Sequence, residues 1–235
     1  MNGTENENIY TALKLEEGFW SIDEGGVRSF LIEGIDRAML VDTGFGHGDL
    51  KAFVETLTPH PIFLVNTHTD GDHIGCNEQF KRAFMHPSEM DYYHLRNGND
   101  GAEALPVLDG HVFDLRIRKF EVIAIPGHTP GSIALLDRSN KLLISGDSIS
   151  LGGIFMFGSG RDMEAYISSM QKLENMLDEF DTIWPSHGLG PIDSSIIAEL
   201  IEGAKKLLRG ELEGKIPGRD LPCRLFEYGR AHFLY

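Results

Sequence analysis

Apolar residues along this chain come in short runs broken by glycine, asparagine and proline, and the first of these runs predict strands. FWSID, VRSFLIEG and RAMLVDTG, separated by Gly25-Gly26 and by the stretch Gly34 to Arg37, read as an antiparallel meander. Asp49 to Leu57 has helical spacing and stops before Pro59, and PIFLV then predicts a buried strand running into polar Asn66, Thr67 and His68. Asp72 to Phe80 is expected as a helix, RAFMH as a strand, Ser88 to Leu95 as a helix capped by Ser88, and Asn97 to Asp109 as a loop.

In the second half, FEVIAIPG, SIALLD and KLLISGD predict strands. A glycine-rich loop, a helix from about Asp162 to Leu177, the strand DTIWPSHG and a helix from about Ser194 to Leu208 follow. Two strand-rich halves that each carry helices imply an α/β (α+β) fold with sheets packed together and helices outside. No linker, repeat or low-complexity tract interrupts the pattern, so residues 1–235 read as one domain with a short extension from about Gly210. The aromatic end of that extension, LFEYGRAHFLY, is expected to pack on the body or on a second copy in a homodimer.

Composition narrows the partners. The 21 Lys and Arg against 36 Asp and Glu give a net charge of −15, which repels polyanions and argues against nucleic acid as a partner. No segment approaches the ~18 apolar residues of a membrane span. The polar, acidic start MNGTENENIY lacks the basic-then-apolar character of a secretory leader, so the expectation is a cytoplasmic protein without a membrane partner. Cys76 and Cys223 stand far apart without a CxxC partner and are expected as buried thiols.

Candidate chemistry concentrates in His68-Thr69-Asp70-Gly71-Asp72-His73, where four potential metal ligands fall within six residues between a predicted strand and helix. Carboxylates so crowded repel one another unless divalent cations hold them ionised and keep the imidazoles neutral. Alternate positions of an extended segment share a side, so His68 and Asp70 can serve one ion while Asp72 and His73 reach a second. His128 in PGHTPGS, Asp147 in SGDS and His187 in PSHG also follow apolar strands. An Asp set between two ions can bridge them at the ~3.5–4 Å separation used in two-metal hydrolysis. By contrast His47, His60, His86, His94, His111 and His232 stand alone and read as structural or solvent-exposed. A GxSxG elbow is absent, which disfavours serine hydrolysis.

From Phe19 to His187, including VDTG at Val41 to Gly44, the chain resembles the metallo-β-lactamase fold superfamily, whose signature is HxHxDH followed by separate His, Asp and His residues at strand ends. The resemblance implies a four-layer αβ/βα sandwich with metals in the cleft between the sheets. By position, His68, Asp70 and His128 would hold a first ion, Asp72, His73 and His187 a second, and Asp147 would bridge them. Asp42 would orient ligands through hydrogen bonds, although an Asx turn in DTG reads almost as well from local chemistry.

Asp70 departs from the pattern, replacing its second His and lowering the formal charge of a loaded site by one unit. The added hard oxygen admits iron or manganese beside zinc among the two expected divalent metal ions.

The implied function is hydrolysis of a small ester, thioester, lactone or related acyl substrate by metal-activated water, with Asp72 or Asp147 orienting the nucleophile and accepting its proton. Alternatives are a small-phosphoester hydrolase, or a diiron protein that reduces oxygen or nitric oxide with a separate electron donor. The latter is suggested by the similarity of Asp70 to the carboxylate of flavodiiron proteins. Around the centre, Phe155 to Phe157 are expected either to border the cleft or to enter the core. Arg161 is expected to meet an anionic substrate group or to pair on the surface with Asp162 or Glu164, and Tyr92 and Tyr93 to mark an exposed and a buried helix face.

Overall fold

The computed structural model describes residues 9–98, 101–218 and 220–235. Most of MNGTENENIY, on which the leader argument rests, lies outside the described residues, as do positions 99 and 100 of the expected loop at Asn97 to Asp109.

Strands β1 (Thr11–Glu16), β2 (Phe19–Asp23), β3 (Arg28–Glu33) and β4 (Ala38–Val41) form the expected meander with one strand added in front. Helix α1 (Leu50–Glu55) leads to β5 (Ile62–Val65), β6 (Arg82–Met85), α2 (Pro87–Asn97) and β7 (Glu103–Pro106). Strands β4 to β7 run parallel, completing a seven-stranded sheet in the order β1 to β7. The second half supplies β8 (Val112–Asp114), β9 (Lys119–Ala124), β10 (Ile133–Asp137), β11 (Leu142–Gly146), β12 (Ile154–Phe155), α3 (Met163–Glu174), β13 (Thr182–Pro185), β14 (Ile192–Asp193), α4 (Ile196–Leu208), β15 (Leu225–Tyr228) and β16 (Ala231–Leu234). Its six-stranded sheet has the order β14-β13-β11-β10-β9-β8.

Strand alternation creates the layers. Phe30 and Ile32 on β3, with Met39 and Val41 on β4, face the inter-sheet core, where they meet Ile133 and Leu135 of β10 and Leu142 and Ile144 of β11. Leu31, Ala38, Leu40 and Leu64 point the other way and bury Leu50, Val54 and Tyr93 of α1 and α2. Ala134, Leu136 and Leu143 cover the apolar faces of α3 and α4. The product is helix, sheet, sheet, helix, the four-layer αβ/βα sandwich. No helix of the described residues is long and apolar enough to cross a membrane.

Four local expectations are corrected. Asp72 to Phe80 forms turns and a single 3-10 turn at Asn77–Gln79 instead of an α-helix. The His73 carbonyl that an α-helix would offer to Asn77 N is taken by Thr43 N (2.8 Å) and Asn66 Nδ2 (3.1 Å), so Asn77 N turns to Ile74 O (3.0 Å). Helix α2 is capped by the His86 side chain, which accepts from Ser88 N, with Pro87 at the first helical position. The expected loop after Asn97 contains β7, a short edge strand held by its pairing with β6. Cys76 is buried as expected, whereas Cys223 is only partly so.

The C-terminal segment forms a hairpin of β15 and β16 that adds β12 in parallel, and Ala231, Phe233 and Leu234 bury themselves against the body. The Phe233 ring meets that of Tyr166 on α3 at 5.9 Å.

Candidate metal centre

All seven side chains singled out in the sequence converge at one end of the sandwich, beyond the C-terminal ends of β5, β9, β11 and β13. Open α/β sheets gather ligands there because backbone direction and loop exits coincide at strand ends. Their ligand atoms fall into three groups with mutual distances within 4.8 Å: His68, Asp70 and His128; Asp72, His73 and His187; and His68, His73 and Asp147. Asp147 stands between the first two, with its carboxylate 3.3 Å from His73 Nε2, 3.4 Å from His187 Nε2 and 3.8 Å from His128 Nε2.

Each imidazole is oriented by its other nitrogen. Thr67 Oγ1 donates to Asp42 Oδ2 (2.7 Å) and so accepts from His68 Nδ1 (3.0 Å). His73 Nδ1 donates to Asp42 Oδ2 (2.9 Å), His128 Nδ1 to Phe155 O (2.9 Å) and His187 Nδ1 to Gly26 O (2.8 Å). All four Nε2 lone pairs are thereby turned toward the carboxylates, the arrangement that metal-binding histidines use.

Asp42, with a left-handed backbone (φ 61°), also accepts from Thr67 N at 2.8 Å. It therefore serves the His68 and His73 loops together, which an isolated Asx turn would not do.

The centre fits cations. His73 Nε2 and Asp147 Oδ1 are buried, face each other at 3.3 Å, and neither finds a hydrogen bond. Such groups are rare in folded interiors unless a ligand meets them. Nε2 of His68 and His128 lie 3.3 Å apart, a contact in which two lone pairs repel each other and which a cation between them would relieve.

Without cations the carboxylates must supply the compensation. Burial pushes His73 down, but Asp147 and Asp42 outweigh it and raise its pKa well above the ordinary imidazole value. His187 is likewise raised, by Asp72 and Asp147 against burial, whereas burial dominates at His128 and lowers it. Burial works against the charged forms of Asp70, Asp72 and Asp147, yet the surrounding histidines, and Arg161 at Asp70, hold all three carboxyls below the usual range. Each carboxyl is therefore ionised.

Three features lie beyond what the residue pattern predicted. Glu89 on α2, 1% exposed, accepts from Thr69 N (2.9 Å), Thr69 Oγ1 (2.7 Å) and Gly131 N (2.7 Å), clamping the His68 loop to the His128 loop. Glu24 accepts from Phe45 N and His47 N, both at 2.8 Å, and fixes the loop at the cleft mouth. Neither carried a signal, since a glutamate beside a turn or on a helix reads as solvated. Arg161 pairs with Asp70 instead of with Asp162 or Glu164, because Asp162 is committed to capping α3.

Met156 enters the core, while Phe155 borders the cleft together with Phe45. Tyr93 is buried and donates to Ala102 O, and Tyr92 lines the mouth. His47, His60, His86, His94, His111 and His232 take no part in the three ligand groups.

Comparison with known proteins shows what the chain as a whole is similar to. A Caenorhabditis elegans protein described as beta-lactamase-like protein 2 homolog is 26% identical over 196 residues, spanning 80% of this chain but only 64% of that protein. Human acyl-coenzyme A thioesterase MBLAC2 is 26% identical over 216 residues, covering 74% of this chain and 76% of that one. Hydroxyacylglutathione hydrolase GloC of Haemophilus influenzae is 28% identical over 170 residues, 65% and 80% of the two chains. Among solved structures, a metallo-beta-lactamase from Pontibacter korlensis superposes with a TM-score of 0.72 at 18% identity, covering 83% of this chain and 99% of that one, which shows a shared fold.

The family model of the metallo-beta-lactamase superfamily matches residues 22–208. That match covers most of the chain and contains every side chain of the centre, so the chain belongs to the metallo-beta-lactamase superfamily and is a metallohydrolase of it.

Proposed function

We propose that this chain hydrolyses a small thioester in a cleft of about 520 Å³ bordered by Phe45, Phe155 and the ligand side chains. The observation that carries the reading is the buried, unpartnered pair His73 Nε2 and Asp147 Oδ1 at the junction of the His/Asp groups. His68, Asp70 and His128 would hold one divalent ion, Asp72, His73 and His187 a second, and Asp147 would lie between them, zinc being the ion that suits this nitrogen-rich set. Bound there, such ions polarise a carbonyl and lower the pKa of water.

The chain's own residues perform the remainder. Asp42, Thr67, Phe155 O and Gly26 O hold the imidazoles in place, and Asp72, on the open side of the centre, accepts a hydrogen bond from the attacking water and aims its lone pair. Asp70, Asp72 and Asp147 are all ionised before the reaction, so the only proton a leaving group can receive is the one Asp72 takes from the attacking water. A thiolate, whose conjugate acid has a pKa of about 8.5, departs without one, while an amine does not. The similarity to an acyl-coenzyme A thioesterase and a hydroxyacylglutathione hydrolase supports the same substrate class. A small molecule also suits a chain whose net charge of −15 repels nucleic acid.

The test is turnover of matched short-chain thioesters, oxyesters and amides by the zinc-loaded full chain and by Asp147→Asn. Thioesters should exceed amides by at least ~100-fold in kcat/KM, the contribution of a proton transfer that an amine leaving group needs and a thiolate does not, and Asp147→Asn should show no turnover above background. Equal rates on amides, or activity that survives in Asp147→Asn, would overturn the proposal.

A further inference from the structure

The ligand groups differ in how the protein itself satisfies them. In the region of Asp72, His73, His187 and Asp147 two buried polar atoms are left without a hydrogen bond, and no guanidinium or ammonium group makes an ion pair there among the described residues. In the group of His68, Asp70 and His128 the two imidazole Nε2 atoms face each other at 3.3 Å, but the carboxylate is already engaged by a cation. Asp70 Oδ2, the oxygen that lies 3.6 Å from His68 Nε2 and 3.4 Å from His128 Nε2, already accepts a hydrogen bond from Arg161 Nη2. Arg96 Nη2 stands 3.9 Å from the other oxygen, and Gly71 leaves the room Arg96 occupies, since a Cβ there would lie 2.7 Å from its Nη1.

Arg161 is not a mobile surface cation. Its side chain is 13% exposed, and the residue after it is anchored twice, by Asp162 N donating to Gly127 O (2.9 Å) beside His128 and by the Asp162 carboxylate capping α3.

We infer that Arg161 is a built-in competitor for Asp70, so that this chain loads its two divalent ions in sequence, tightly at Asp72, His73 and His187 and more weakly at His68, Asp70 and His128. A cation entering the group of His68, Asp70 and His128 must share Asp70 Oδ2 with a fixed guanidinium and sit in its repulsive field, whereas one entering the group of Asp72, His73 and His187 meets carboxylates that no arginine or lysine engages and imidazoles that can release a proton as it binds. Unit charges in near contact interact strongly enough at partly buried sites for the two steps to separate by at least ~10-fold. The inference rests on the metal-dependent reading above and adds to it a positioning residue that sets how much of the protein carries two ions at a given metal concentration.

The experiment is a zinc titration of the metal-free full chain, by calorimetry and by competition with a chromogenic chelator. Wild type, Arg161→Gln, Arg161→Lys and Asp70→Asn would be compared, with folding checked by circular dichroism. Wild type should bind two equivalents in separate steps. Arg161→Gln should tighten the second step by ~10-fold or more and leave the first within about threefold. Arg161→Lys should stay close to wild type because the charge remains, and Asp70→Asn should lose the second step alone.

Two indistinguishable equivalents in wild type, or a second step that weakens in Arg161→Gln, would overturn the inference. Absence of any tight zinc would overturn the metal-dependent reading itself, so the two failures are distinct. The wild-type isotherm decides the matter even if a variant does not fold.

Discussion

Glu89 offers the sharpest test of how the centre is held together. Its carboxylate accepts from Thr69 Oγ1, Thr69 N and Gly131 N, at 2.7 to 2.9 Å, in an environment that excludes water. In Glu89→Ala all three donors are stranded. A buried donor left unpaired costs ~1–3 kcal/mol, so with partial relaxation the loss should total roughly 3–5 kcal/mol. For a chain of this size each kcal/mol moves the midpoint by ~2–4 °C, so the Tm should fall by about 6–20 °C.

Because Thr69 and Gly131 belong to the loops that carry His68, Asp70 and His128, zinc affinity at that group should also fall ~10–100-fold, the range seen when partners of metal ligands are removed. Glu89→Gln keeps one carbonyl oxygen and turns an amide toward the other donors, so its effect should be about half as large. Differential scanning calorimetry and chelator competition measure the two quantities. A Glu89→Ala protein that melts within about 2 °C of wild type and retains its zinc would refute the clamp, and so would Glu89→Gln behaving as badly as Glu89→Ala.

Two further substitutions probe the same scaffold. Asp42→Asn can keep the left-handed backbone at φ 61°, since asparagine tolerates it, but it withdraws the carboxylate from His73 Nδ1; zinc affinity should fall ~10–100-fold with the fold intact, and an unchanged affinity would reduce Asp42 to a turn residue. Gly146→Ala places a Cβ 2.8 Å from Thr67 Oγ1 at a φ of +54°, so it should cost roughly 1–3 kcal/mol in denaturant melts and disturb Asp147 next to it; wild-type stability would show that the strand end can shift at no cost.

The ligand motif was readable in sequence because its chemistry is local. His68, Asp70, Asp72 and His73 sit within one loop, and His128, Asp147 and His187 each follow an apolar run whose alternation marks a strand. The sandwich follows from the same alternation, since Leu31 and Leu40 must face one way and Phe30 and Val41 the other. Local pattern failed where a distant group claims a backbone atom. Thr43 and Asn66 take the His73 carbonyl and so prevent the helix expected after Asp72, and β7 is a strand only because β6 lies beside it.

The role of Glu89 was likewise invisible in the sequence, where it reads as an ordinary charge on a helix, and Arg161 was expected to meet a substrate anion or Asp162 or Glu164 and not Asp70. Tertiary structure alone brought Glu89 to Thr69 and Gly131, and Arg161 to an aspartate 91 positions away. Sequence by itself thus determined which residues could bind metal and on which strand ends they lie, because residue type and periodicity are properties of short segments. Which of those ligands stand free and which are already held by a cation was decided by the packing of loops from both halves, because a hydrogen bond or ion pair depends on distance in space and not along the chain.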